Sequence, residues 1–441
     1  MSRNVEALYA AKLMTPHNAV SRIASGSKIS MGMAVAEPPA LLAALAERAA
    51  AGDVDNLWVY YLHSSRYAAE TILRYELMGA IRPHCMFYTS VERDLIQRGR
   101  EDGRKVVFFV PNTFHQAPRI LIEHVGVETM LVTVSPMDRH GYFTLGCGND
   151  YSSGVIRTAR QVIVEVNENM PRVFGQGAQV HVDDVDAIVE NHQPLLEIPM
   201  RGASEEARAI ARTIASLTPE GACLQMGVGA IPNLVCADLA SHNDLGVHTE
   251  ALCTGLVDLA RAGVVNNSRK TLNRGKTVFT FAIGDRAMYD FLHDNPSVES
   301  APVDYVNDPR VISENDNVVS INATLQIDLT GACNSEHMMG AHFSGSGGQL
   351  DFVRGAYASR GGKSIIACHA TARKGKVSRI VGRLDGPVTT PRIDTHIVVT
   401  ENGAVDLKGL SSDERALALV KLAAPQFREE LLYEARQMNL I

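Results

Sequence analysis

The feature that most restricts how this chain can fold lies between residues 222 and 250. Ala222-Cys-Leu-Gln-Met226 is an apolar run short enough to be a buried strand, and Gly227-Val-Gly229 follows it directly. Residues 231–240 have helical spacing, with Pro232 in the first turn where a proline is tolerated. Leu245-Gly-Val-His-Thr249 then reads as a second strand that delivers Glu250 at its end. Strand, glycine turn, helix, strand is a βαβ unit, and its right-handed crossover lays both strands parallel with their C-terminal ends on one edge. The turn and Glu250 then face one crevice, where open α/β sheets bind ligands. Gly227 and Gly229 leave room for a substrate to approach the backbone, and the N–H groups there can hold negative charge. A carboxylate beside such donors can serve as a base, a metal ligand or a nucleophile. Alone, the Gly-x-Gly is equally an ordinary tight turn, and the glutamate equally a helix cap; the pair says more than either.

The remaining chain repeats the alternation. Strand-like runs occur at 28–33, 56–62, 105–110, 129–134 and 161–166, and again at 277–283, 318–329, 364–369 and 396–400. Such continuous apolar runs suit parallel strands covered on both faces. Helices are expected from Pro38 to Arg48, after Ser204, and at 412–423 and 425–437. A length of 441 residues exceeds what one core usually serves. The expected division is 1–200 and 201–441, two α/β domains, the second carrying Glu250. The net charge of −7 argues against a general binder of nucleic acid or anionic membrane. Seven scattered cysteines without a Cys-x-x-Cys pair read as free thiols of a reducing compartment, and no apolar run approaches a membrane span. A cytoplasmic protein is expected. No His, Asp or Glu cluster has metal-ligand spacing, so no metal is expected.

Several motifs together resemble the acetyl-CoA hydrolase/transferase family. They are Gly227-Val-Gly-Ala-Ile-Pro232, Gly246-Val-His-Thr-Glu250 and Ser344-Gly-Ser-Gly-Gly-Gln-Leu-Asp-Phe352. Val134-Ser-Pro-Met-Asp-Arg-His-Gly-Tyr142, Glu165-Val-Asn-Glu-Asn-Met-Pro171, Pro302-Val-Asp-Tyr-Val-Asn-Asp308 and Val398-Val-Thr-Glu-Asn-Gly403 extend the likeness over nearly the whole chain. Within the family it is most similar to the branch of 4-hydroxybutyrate and butyrate CoA-transferases, which includes itaconate CoA-transferases.

The resemblance implies two open-sheet CoA-transferase-type domains with the active site between them. It maps the family's catalytic glutamate onto Glu250, which would carry CoA as a glutamyl thioester during ping-pong exchange between short-chain carboxylic acids. The amides around Val228 and Gly229 would form the oxyanion hole, and Gly227 through Ile231, including Ala230, would contact CoA. Gly345, Gly347 and Gly348 form a second loop near the thioester, with Gly348 at the matching contact position. No tightly bound cofactor is implied, with coenzyme A and acyl-CoA acting as substrates, and a homodimer or a multiple of one is expected.

Residues 352–384 hold no Asp before Asp385 and no Glu, yet contain Arg354, Arg360, Lys363, Arg373, Lys374, Lys376, Arg379 and Arg383. Arg360 and Lys363 are candidates for the CoA phosphates, and the cluster at 373–376 is equally a solvated loop. His248 points the same way as Glu250 and is either a tuning partner of it or a satisfied structural histidine. Cys253 is assigned to packing. The segments 35–39 and 111–115 follow strand-like runs and are candidates for the acyl pocket. An acyl-CoA hydrolase using the same glutamate, and a non-catalytic ligand-binding protein on the same fold, are the alternatives.

Overall fold

A computed structural model of the chain describes residues 4–198, 202–227 and 229–441. The chain forms two compact units, Met1–Ile198 with Phe279–Tyr305, and Pro199–Val278 with Val306–Ile441. The chain first passes from one to the other beside the 200/201 division, then returns Phe279–Tyr305 to the first unit.

The first unit is built on a parallel sheet in the order Phe108–Phe109, Ile81–Cys85, Leu57–Tyr61, Lys28–Met31, Thr129–Val134, Gln161–Val166, Ala187–Glu190. Strand order reverses beside Lys28–Met31, and helices such as Pro39–Ala51 and Ser90–Glu101 connect the strands. Ile81–Cys85 has no alternating or continuous apolar pattern and carries Pro83, a residue rare inside sheets. It is fixed by its neighbours instead. The His84 ring stacks on Trp58 at 4.9 Å and on Phe108 at 5.0 Å, and the Arg82 guanidinium lies 4.3 Å from the Trp58 ring.

Interior carboxylates tie this unit together. The helix Pro39–Ala51 has no side-chain cap of its own, and the Glu165 carboxylate accepts the Ala40 and Leu41 N–H groups at 2.9 and 3.0 Å. Glu37 accepts the Ser65 and Ala68 N–H groups at 2.8 and 3.2 Å. Glu92 closes a capping box with Thr89 and also receives the Tyr61 and Ser64 hydroxyls. Burial pushes the Glu37 carboxyl up to about 8 and the Glu165 carboxyl up to about 7, against the hydrogen bonds that favour their charged forms.

In the second unit, strands run in the order Gly246–Leu252, Cys223–Met226, Val318–Ala323, Lys363–Ala367, Ile397–Thr400, Gly403–Asp406. All pair in parallel except the last, a hairpin on Ile397–Thr400. Residues 318–329, read as one strand, divide into Val318–Ala323 and Gln326–Asp328, the latter in a separate small sheet. The closing helices Ser412–Leu422 and Arg428–Gln437 pack Leu419, Val420 and Leu431 against Ile366 and Val398. Between Cys223–Met226 and Val318–Ala323 the strand order reverses, and the glycine turn leaves the first of these at that point.

Candidate active site

Glu250 stands on a strand that does not stop at it. Gly246–Leu252 continues two residues beyond the carboxylate, so the glutamate is held by extended backbone on both sides. Cys223 pairs with Gly246 and Leu224 with Val247, and the Met226 N–H meets the Thr249 hydroxyl at 3.3 Å with the same offset. One step further along both chains brings Gly227 level with Glu250. The turn and the carboxylate are neighbours because of that register.

The turn is built for close approach. Gly229 has φ 146° and ψ −172°, a conformation open essentially to glycine alone, and it starts the helix Ala230–Asp238. Neither Gly227 nor Gly229 has an atom closer than 4.0 Å to where a side chain would begin. Ala230 is exposed and Ile231 partly so, although both are apolar. Open space therefore lies over the first turn of this helix. Val228 lies outside the described residues.

The second glycine loop closes on the carboxylate. Gly345, Gly347 and Gly348 are buried, Gly347 has φ 52°, and Gly348 leads into the helix Gln349–Ala358. The Gly348 N–H donates to Glu250, and a methyl group at Gly348 would collide with both the Glu250 carboxylate and the Asn307 amide. Asn307 Nδ2 donates to Glu250 Oε2 at 2.6 Å. A side-chain amide, a backbone amide and a helix N-terminus thus converge on one partly buried carboxylate.

Burial nevertheless dominates its protonation. The Glu250 carboxyl is pushed up to about 7, first by desolvation and also by the nearby Asp351 carboxylate, while Asn307 and the Gly348 N–H pull it down. A group so placed exchanges its proton near neutral pH, and its charged form is only sparingly solvated. Both properties suit a nucleophile or base.

The other sequence candidates are distributed as follows. His248 shares a face with Glu250, but its Nε2 meets the Val306 carbonyl at 2.8 Å, and burial followed by the Lys270 charge pushes it down to about 3. It stays neutral. Cys253 is buried as the residue before helix Thr254–Arg261 and lies beside the Cys236 thiol; that pairing and the Leu256 and Gly255 N–H groups lower its pKa against the effect of burial. Arg360 is exposed and paired with Asp316, and Lys363 Nζ donates to the Leu217 carbonyl at 2.7 Å. Lys363 is level with Val319, hence with Leu224 and Val247, and lies three strands from Glu250, about 14 Å sideways. The structure does not bring Arg360 or Lys363 to the carboxylate. Arg354 pairs with Asp394, and Arg373 and Lys374 sit in the exposed turn between Thr371–Ala372 and Val377–Ser378. In the first unit, 35–39 and 111–115 follow the C-terminal ends of Lys28–Met31 and Phe108–Phe109, and Ala34 adopts a left-handed φ of 50°.

Asn307 and Asp351 were not singled out as site residues from the sequence. Both lie in motifs that carry the family likeness, but Asn307 is 57 residues from the carboxylate it holds, and nothing in its local pattern points there. Among the described residues, no group of three or more His, Cys, Asp or Glu is gathered as for a metal ion, and no helix is long and apolar enough to cross a membrane.

Comparison with known proteins adds family context. The N-terminal domain model of the acetyl-CoA hydrolase/transferase family matches residues 1–198 and the C-terminal domain model matches 284–435, so Glu250 falls between them. The chain is 41% identical to the succinyl-CoA:cyclohexane-1-carboxylate CoA transferase of Geobacter metallireducens over 100% of its own length and 98% of the relative's. It is also 41% identical to the 4-hydroxybutyrate coenzyme A transferase of Clostridium kluyveri, covering 98% and 99% of the two chains. Among solved structures, RipA from Yersinia pestis superimposes with a TM-score of 0.96 at 64% identity, covering 99% of this chain and 100% of that one. The 4-hydroxybutyrate CoA-transferase from Porphyromonas gingivalis gives a TM-score of 0.83 at 32% identity over 98% and 99%. With both domain models matched and relatives aligned end to end, the chain belongs to the acetyl-CoA hydrolase/transferase family and has the two-unit α/β fold of its CoA-transferases.

Proposed function

We propose that the protein is an acyl-CoA:carboxylate CoA-transferase that moves CoA between short-chain carboxylic acids through a covalent thioester on Glu250. The observation that carries this reading is the Glu250 carboxylate itself, partly buried, held by Asn307 Nδ2 at 2.6 Å and by the Gly348 N–H, where no side chain fits. Full-length relatives that transfer CoA between acids support the same chemistry.

In this reading an ionised Glu250 oxygen attacks the thioester carbonyl of a bound acyl-CoA, and the C–S bond breaks to release CoA thiolate and leave a mixed anhydride. The thiolate attacks the glutamyl carbonyl, expelling the first acid as its carboxylate and forming glutamyl-CoA. A second carboxylate attacks that thioester, and the returning thiolate takes the new acyl group and restores Glu250. Each exchange replaces one carboxylate by another, so the thioester is conserved. The Gly229 N–H and the start of helix Ala230–Asp238 are the donors for the developing oxyanion, a contribution of about 3–4 kcal/mol for a well-placed donor. Gly227 and the segment from Gly229 to Ile231 provide the open surface for CoA. The substrates are of the butyrate, 4-hydroxybutyrate, acetate, succinate or itaconate type, and a cytoplasmic homo-oligomer is the form in which we expect the enzyme to work.

The test is to incubate the protein with an acyl-CoA, reduce with borohydride and map the modified peptide, alongside a screen of acceptor acids. Reductive labelling at Glu250 and acceptor-dependent product support transfer. CoA release that ignores the acceptor would establish hydrolysis instead, and an unmodified Glu250 would remove the basis of both.

A further inference from the structure

We infer that His248 is a positioning residue for Glu250, acting through the Val306 carbonyl and the Asn307 side chain. This deepens the transferase reading and rests on Glu250 being its nucleophile. His248 and Glu250 project from one face of Gly246–Leu252, and the imidazole Nε2 is turned to the Val306 carbonyl. It is 1% exposed, and its Nε2 lies 2.8 Å from the Val306 oxygen. A carbonyl oxygen only accepts, so Nε2 carries the hydrogen and the tautomer of the neutral ring is fixed. Burial first, and then the charge of the buried Lys270, which donates to the Val247 carbonyl at 2.9 Å, keep a second proton off the ring.

The Val306 carbonyl lies in the same rigid peptide plane as the Asn307 N–H. Holding that oxygen fixes the plane from which the Asn307 side chain departs, and this side chain ends 2.6 Å from Glu250 Oε2. Phe352 lies beside the imidazole, with ring centroids 6.4 Å apart. Phe352 belongs to the helix Gln349–Ala358, which starts at Gly348, the second donor to Glu250. The ring thus lies beside both elements that grip the carboxylate, but its hydrogen bond goes to the Val306–Asn307 peptide. A histidine that merely fills space would contribute to stability alone; this one sets a donor whose misplacement by an ångström slows chemistry by about 100-fold.

The test uses two replacements that differ by one methylene. His248→Gln places an amide N–H near the position of Nε2, and His248→Asn leaves it short of Val306. We expect His248→Asn to lower kcat for CoA transfer roughly 10- to 100-fold with KM for acyl-CoA within about twofold, and His248→Gln to recover most of the loss. His248→Asn combined with Asn307→Ala should be no slower than Asn307→Ala alone. Equal rates in the asparagine and glutamine variants, or a double variant showing the product of the two losses, would overturn the inference. Nitrogen-15 NMR of the wild-type histidines gives a check that needs no variant to fold. It should show a neutral Nε2–H ring from about pH 5 to 8, and a proton on Nδ1 or a ring that titrates there would be contrary. If the wild-type chain moves no CoA between any donor and acceptor, the transferase reading falls and takes this inference with it; a transferring wild type with a flat mutant series overturns the inference only.

Discussion

Gly348→Ala is the sharpest perturbation of the site. The backbone at Gly348 has φ −94° and ψ 14°, which alanine adopts without strain, so the added methyl acts through space alone. That methyl would land on the Glu250 carboxylate and the Asn307 amide, and either the carboxylate or the start of helix Gln349–Ala358 must retreat. Retreat loses the Gly348 N–H contact and lengthens the 2.6 Å Asn307 bond, two hydrogen bonds to a charged group worth about 1.5–3 kcal/mol each. If only one is lost in the transition state, the rate falls roughly 10- to 150-fold; a displaced nucleophile adds to that. Stability should change by no more than an overpacked core site, about 1–3 kcal/mol. The assay is steady-state CoA transfer from a saturating acyl-CoA to acetate, with the covalent adduct followed by mass spectrometry and folding by thermal melt. A variant that melts near the wild-type temperature yet transfers CoA at more than about a third of the wild-type rate would refute the claim that this contact shapes the nucleophile.

Other outcomes follow from the same site and from the first unit. Glu250→Gln should abolish adduct formation and reduce transfer at least ~1,000-fold, measured by acceptor-dependent product formation, because an amide cannot be loaded with the coenzyme. In the proposed reaction the ionised Glu250 attacks, and with its pKa raised to about 7, kcat/KM should rise with pH through that value. Asp351→Asn removes a charge that raises this pKa and should move the limb to lower pH, whereas Asn307→Ala should move it higher; rate profiles of the two variants give opposite shifts or the assignment is wrong. In the first unit, Glu37, Glu165 and Asp150 have folded pKa values raised to about 8, 7 and 6. Each therefore contributes stability that is fully present below its unfolded pKa and lost as pH rises through the folded one, at about 1.4 kcal/mol per pH unit per group. Calorimetry from about pH 5 to 8 should show a falling melting temperature that Glu165→Gln makes less steep.

Much of this arrangement could be read from local pattern, because parallel strands buried on both faces announce themselves as apolar runs. Thr129–Val134 and Gln161–Val166 occupy the residues their patterns indicate. The βαβ unit is equally plain, since glycine, helix and strand succeed one another within thirty residues or so, and the parallel direction of its strands follows from the crossover. What was hidden has a common cause. Ile81–Cys85 is a strand because Trp58 and Phe108 sandwich His84, and such aromatic stacking between separate strands leaves no periodic trace. Asn307 is at the site because His248 and the fold of Val306–Asp308 deliver it there, again through contacts distant in sequence. Arg360 and Lys363 are near Gly348 along the chain, but a helix of ten residues, Gln349–Ala358, carries them toward the opposite edge of the sheet.

The prolines and carboxylates of the first unit also bear on how the polypeptide is made. Helix Pro39–Ala51 opens on a residue that cannot donate, and its next two amides wait for an oxygen 124 and 125 residues downstream. While the nascent chain emerges from the ribosome, that helix has no completed start until Glu165 has been synthesised and its strand has docked. Truncated fragments ending before that point should remain protease-sensitive, and a chaperone meeting the young chain would find the apolar face of this helix still uncovered.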